Sequence, residues 1–312
     1  MAGNAAPAPF VLVVTGAPEK GAITTAVRSA IADETQSDIV TLADGDAIEA
    51  PLGAADATAA TAVAARLRGT LDAPVDINVV SASGRRKHLL IADMDSTIIR
   101  QECIDEMADL FGLKAKIAAI TERAMRGELD FEAALVERLG LLAGLDETGL
   151  ETVWRERIQI MPGARSLVET MGVNGAYTAL VSGGFTYFTR KVAHAVGFDA
   201  SRANQLELSD GRLTGRVLGP ILGREAKLSA LQEFARLRGL PLSDTLAVGD
   251  GANDLDMIRA AGLGVAFRAK PKVAADAAAS IVHGDLTALL YLQGYAARDF
   301  VAGDAGNGAD RK

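Results

Sequence analysis

Cysteine is nearly absent from this chain: Cys103 is the only one in 312 residues. A single cysteine closes no intrachain disulfide, which excludes a disulfide-built scaffold and fits a reducing compartment, so a cytoplasmic location is expected. Histidine is almost as sparse. His88, His194 and His283 lie far apart without metal-ligand spacing and are read as structural, which leaves any metal to oxygen donors. Aromatic residues make up only 4%, so alanine and aliphatic side chains must fill the core. An excess of positive charge is missing too. The formal charge of -8 excludes a broad basic field for nucleic acid, and any bound anion must be held by local groups. No apolar run reaches membrane-spanning length. The start also lacks the positive region of a signal peptide, so the mature chain is expected to begin near Met1.

What is present is globular in character, with 49% hydrophobic and 23% charged residues. The length fits one large domain with additions, or two modest ones. Residues 1–9 and 302–312 are small, glycine-rich or charged and are expected to be loose ends without function. Residues 10–80 read as a small α+β domain, with strands near 10–14, 38–42 and 76–80 and helices near 22–32 and 59–71. After the breaker cluster at 81–84, an apolar run at 87–92 opens a second domain that extends to about residue 298. Short apolar strands at 177–181, 245–248 and 264–267 then alternate with helical segments, which predicts a Rossmann-like α/β fold with a parallel sheet covered on both faces. Residues 101–160 are almost wholly helical in pattern and too long for a crossover, so they should form a cap inserted after the first strand. A hairpin is legible where 205–208 and 213–217 flank Asp210-Gly211.

In an open parallel sheet, ligands bind beyond the carboxyl ends of the strands. Three of the four apolar runs of this domain end in polar residues suited to that position: Asp93-Met-Asp95 after the first, Ser182-Gly183-Gly184 after the second, and Asp250-Gly-Ala-Asn253-Asp254 after the third. Asp93 and Asp95, two apart on an extended segment, should point to one side, and Asp250 adds a third carboxylate. A hard divalent cation relieves their mutual repulsion, and such an oxygen site suits Mg²⁺. Ser182 and the backbone of Gly183, followed by a helix amino terminus, make a phosphate cradle. Lys227 supplies a point charge to the same phosphate, with Arg224 as the competing candidate.

These four ordered elements, DMDST, Ser-Gly-Gly, a lysine and GDGANDLDM, resemble the motifs of the haloacid dehalogenase superfamily across residues 87–290. The resemblance implies that Asp93 attacks phosphorus, that Asp95 protonates the leaving oxygen and later activates water, and that Asp254 orients the metal site. It also implies Asn253 among the substrate-binding residues. Within the superfamily the chain resembles the phosphoserine phosphatase family, through Glu102 in IIRQECIDE and through Phe131 and Arg138 in DFEAALVERL. Phe131 and Arg138 are two helical turns apart and share a face. The resemblance implies that Glu102 meets the ammonium of O-phosphoserine and Arg138 its carboxylate, beneath Phe131 as a seal. The amino-terminal domain resembles the ACT-like extensions some members carry. The expected partners are this small-molecule substrate and a second copy of the chain, without nucleic acid or membrane. Two other readings stand beside this one: another phosphatase or phosphotransferase of the superfamily, for example one acting toward homoserine, and an amino-acid-binding module with decayed catalysis. The intact Asp93, Asp95, Lys227 and Asp250 oppose decay.

Overall fold

The structure, a computed structural model, describes residues 8–126 and 128–302. The loose ends expected at 1–9 and 302–312 fall almost wholly outside these residues. Two sheets organise the molecule. The first holds β1 (Phe10–Gly16), β2 (Val40–Ala43), β3 (Ala47–Leu52) and β4 (Val75–Ser81), interleaved with α1 (Thr25–Thr35) and α2 (Ala57–Thr70). Its chain order βαββαβ and strand order β2-β3-β1-β4, antiparallel throughout, give a ferredoxin-like unit. Strand alternation decides what each face covers. Leu12 and Val14 pack under the two helices with Ile31, Ala64 and Leu67, while Val11, Val13 and Val80 turn the other way and join the core of the larger unit.

β3 is absent from the sequence reading because Pro51 interrupts its pattern. In the sheet, β3 pairs with β2 only over residues 47–49, so the amide that Pro51 lacks lies beyond the end of β2. Register with β1 still runs from Leu52 back to Ala47.

The second sheet contains β5 (Leu89–Ala92), β6 (Tyr177–Phe185), β7 (Ala200–Ser209), β8 (Arg212–Leu218), β9 (Thr245–Gly249), β10 (Leu263–Phe267) and β11 (Ala279–Ile281). Its order is β11-β10-β9-β5-β6-β7-β8, parallel except for the edge strand β8. β5 carries no polar residue because both of its faces are covered. Leu89 and Ile91 meet the helices α9 (Arg224–Leu237) and α10 (Leu255–Ala260), and Leu90 and Ala92 meet the layer containing α7 (Ala164–Val173), α8 (Thr186–Val196) and α12 (Ala288–Leu292). α11 (Pro271–Asp276) links β10 to β11. The β7–β8 hairpin turns through Asp210 and Gly211, both at positive φ (52° and 74°), as its Asp-Gly pair predicts.

Between β5 and β6 stand the four cap helices α3 (Cys103–Leu110), α4 (Lys114–Met125), α5 (Phe131–Gly140) and α6 (Glu147–Glu156). The chain enters and leaves this cap side by side: Ile99 bridges Ile160, and the Arg100 amide donates to the Gln159 carbonyl. The cap is also tied to the core at its far end. Backbone hydrogen bonds join residues 144–147 to the hairpin at 211–213, and Glu151 of α6 accepts from Tyr187 and Lys191 of α8. Among the described residues no helix is long and apolar enough to cross a membrane.

Candidate active site

The sheet's order reverses at β5, which β6 and β9 flank, so the crevice opens where the ends of these three strands meet. Asp93 follows β5 directly and is 5% exposed. Its carboxylate accepts from the Met94 amide (2.8 Å) and from the Lys227 ammonium (2.7 Å). Lys227 also reaches Asp254 at 2.6 Å, and both groups are sealed from solvent. Burial works against the Lys227 ammonium, but Asp254 and Asp93 outweigh it and hold its pKa above the ordinary lysine value. Burial, and then the Asp254 charge, push the Asp93 carboxyl well above the usual aspartate range.

Asp93, Asp250 and Asp254 bring one carboxylate oxygen each within 4.8 Å of one another. With a single ammonium against three carboxylates, two negative charges are left over, which burial makes costly. The Asp250 carboxyl accordingly rises to about 6, through burial first and Asp254 second. An all-oxygen donor set with two uncompensated charges fits a hard divalent cation.

The Asp95 carboxylate, expected to share an ion with Asp93 and Asp250, is not one of the three whose oxygens converge here. β5 ends at Ala92, and the segment after it turns sharply, with Ser96 at φ 55°, so the alternation of an extended strand does not carry through to residue 95. The Asp95 carboxylate instead accepts from the Cys103 amide (3.0 Å), and a Cβ placed on Gly184 would lie 2.8 Å from its other oxygen. It therefore faces the phosphate cradle. Burial and the nearby Glu102 raise its carboxyl to about 7. Asp254, expected to act from behind the ligands, is itself a member of the triad.

The cradle forms on the extension of β6. The Gly184 amide donates to the Ser182 hydroxyl at 2.9 Å, and α8 begins two residues later. Asn204 holds this loop by donating to the Gly183 carbonyl. Asn253 lies half-buried beside Gly251 next to the triad. The Arg224 guanidinium pairs twice with Asp256 on the surface, whereas the Lys227 ammonium lies buried against Asp93 and Asp254.

The cap supplies the roof. Phe131 stands over the cradle, so close that a Cβ on Gly183 would come within 2.9 Å of its ring. The Ser96 hydroxyl donates to Glu102 at 2.7 Å. Desolvation in the cleft raises the Glu102 carboxyl, and the Ser96 bond and the Arg138 charge oppose the rise. Arg138 donates to the Ala134 carbonyl and faces Asp105, Glu102 and Asp95, which counter the desolvation that lowers its pKa. Sequence reasoning missed Ser96, Asp105 and the Cys103 amide. Asp105 had a signal in its spacing, three residues after Glu102 in the first turn of α3, whereas a backbone amide leaves none. Cys103 itself is a buried packing residue, as expected.

Residues 90–259 match the family model for haloacid dehalogenase-like hydrolases. A phosphoserine phosphatase of Streptomyces coelicolor is 46% identical over 244 residues, covering 76% of this chain and 59% of that protein. The chain thus spans somewhat over half of that relative's length. A phosphoserine phosphatase of Idiomarina loihiensis is 47% identical over 202 residues, covering 65% of this chain and 91% of the relative. The solved structure of a probable phosphoserine phosphatase from Vibrio cholerae is 33% identical and superposes with a TM-score of 0.73 over 92% of this chain and 86% of its own. The chain belongs to the haloacid dehalogenase-like hydrolase family, where its sequence groups with the phosphoserine phosphatases.

Proposed function

We propose that this chain hydrolyses O-phospho-L-serine to L-serine and phosphate, the last step of serine biosynthesis, in the cytoplasm and with Mg²⁺ as cofactor. One observation carries the reading: a roof bearing Arg138 and Glu102, of opposite charge, stands over a floor that holds Asp93 beside a phosphate cradle. The carboxylate and ammonium of phosphoserine match the two roof charges, and its phosphate meets the cradle beside Asp93.

In this reading the phosphate rests on Ser182, the Gly183 backbone and Lys227, and the Asp93 carboxylate attacks phosphorus in line with the serine oxygen. The phosphorus–oxygen bond breaks and Asp95, whose raised pKa keeps a proton available near neutrality, delivers it to the departing alkoxide. Asp95 is then a base, and it takes a proton from the water that opens the aspartyl-phosphate, which returns Asp93 and releases phosphate. Lys227 keeps Asp93 oriented throughout, at 2.7 Å. Mg²⁺ would sit on Asp93, Asp250 and Asp254, with Asp95 beside them, and when bound it neutralises charge on the phosphoryl group. The cap excludes water through Phe131, and Asn253 borders the phosphate from the β9 side. Two copies of the chain form the assembly in this reading.

Phosphate release from a panel of phosphorylated amino acids and sugars tests the proposal. Phosphoserine should lead the panel by a wide margin, and excess chelator should silence the enzyme until Mg²⁺ is restored. A sugar phosphate or phosphohomoserine in first place, or full activity in chelator, would contradict it.

A further inference from the structure

Beside the apolar packing of Val11, Val13 and Val80, a side-chain clasp ties the amino-terminal unit to the larger one. Asp76 and Asn78, two apart on the edge strand β4, point the same way, toward the free edge of β11. Asn78 exchanges two hydrogen bonds with Ser280, accepting from its amide at 2.9 Å and donating to its carbonyl at 3.0 Å. Asp76, 5% exposed, accepts from three successive amides: Val282 at 2.8 Å, His283 at 3.1 Å and Gly284 at 2.8 Å. Consecutive amides that converge on one carboxylate form an anion nest, and a nest has one backbone shape.

The loop held this way leads to the cap. Arg268 donates to the Gly284 carbonyl and, by its other amino group, toward the Met161 sulfur at 3.7 Å. The Leu286 amide donates to the Pro162 carbonyl. Gly163 lies so near that a Cβ there would come within 2.6 Å of the Thr287 nitrogen and 2.9 Å of the Asp285 carboxylate. Met161 in turn donates to the Ile98 carbonyl. Residues 98–101 and 159–161 are the two crossings by which the cap joins the core, so every step from Asp76 to the cap's root is a direct contact. The Idiomarina loihiensis relative is matched over 91% of its length by 65% of this chain, so that relative has no counterpart for about a third of it.

We propose that the amino-terminal unit braces the cap, with Asp76 as a positioning residue that fixes the loop 282–287 against the cap's root. The inference rests on the phosphoserine reading only for the choice of amino-acid substrate. Loss of the nest frees the loop and loosens the crossing, which should impair recognition made by the roof and spare the chemistry made on the floor.

The test compares wild type with Asp76→Ala in the full chain, by kinetics on phosphoserine and on an aryl phosphate and by amide hydrogen exchange. Exchange should speed up at 282–284 and also at 98–101 and 159–161. The KM for phosphoserine should rise roughly two- to thirtyfold, the range given by substitutions along coupled networks, with kcat on the aryl phosphate unchanged. Faster exchange confined to 282–284, or equal losses on both substrates, overturns the brace. Asn78→Ala, which leaves the nest intact, should reproduce neither the KM rise nor the faster exchange at the crossings, and a matching rise would mean that docking in general, not Asp76, is responsible. Should phosphoserine prove a poor substrate for wild type as well, the exchange pattern still decides the brace.

Discussion

The floor and the roof of the cleft are built from different materials. On the floor, Asp93, Lys227 and Asp254 are sealed from solvent, with Lys227 bonded to both carboxylates at 2.6 to 2.7 Å, each fixed at or near a strand end or on a packed helix. On the roof, Phe131 and Arg138 are half-buried on a cap helix, and Glu102 is open to the cleft. Truncating a member of this buried charged network would leave its partners unpaired, whereas a replacement of the same shape keeps their packing. The roof can move, and its charges reach full strength only when a ligand displaces the water between them. The difference assigns chemistry to the floor and selection to the roof.

The most severe way to break this division is at the nucleophile. Asp93→Asn keeps shape and fold, leaves Lys227 paired with Asp254, and should lower turnover on the order of 10⁴-fold or more on every substrate alike. Steady-state rates on phosphoserine and an aryl phosphate, together with the loss of phosphoryl trapping on the chain, check it. Near wild-type turnover would remove Asp93 from the mechanism.

The smallest expected effect lies at the tie between roof and core. Glu151 accepts from Lys191, Tyr187 and Arg155, which lower its carboxyl from 4.5 to about 2. A depressed carboxyl contributes stability that is present above its ordinary pKa and is lost as pH falls through the folded value. The stability gap between wild type and Glu151→Gln should therefore be present above pH 4.5 and close as pH approaches 2. Because the pair is a third exposed, the gap should be about 1 kcal/mol or less. Thermal melts across that window read it, and a gap that widens toward acid would reverse the assignment.

The floor was legible because its residues follow apolar runs, and a run that ends in Asp-x-Asp or Ser-Gly-Gly announces a strand end at a ligand site. The direction of Asp95 was not legible, since nothing in the residue types shows that β5 stops at Ala92 and that Ser96 turns left-handed, and neither was the place of Asp254 within the carboxylate cluster. The roof was legible only through resemblance. Glu102 and Arg138 look like ordinary surface charges on amphipathic helices until the cap is placed over the cradle. The clasp at Asp76 and Asn78 was illegible altogether, because its partners are backbone amides some 200 residues away and β11 is only three residues long. Arg224 shows the reverse case, a competitor to Lys227 in the sequence that pairs with Asp256 on the surface.

The division between floor and roof is tested most directly at Arg138, by measuring kcat/KM of Arg138→Ala on phosphoserine and on an aryl phosphate that has no carboxylate. Losing one partner of a charge-assisted pair in a closed site costs about 2 to 5 kcal/mol, so the phosphoserine constant should fall by roughly 30-fold to several thousandfold. The aryl phosphate should be hydrolysed almost as before. Equal losses on both substrates would show that Arg138 supports the fold or the phosphate, and an unchanged phosphoserine constant would show that the roof selects something else.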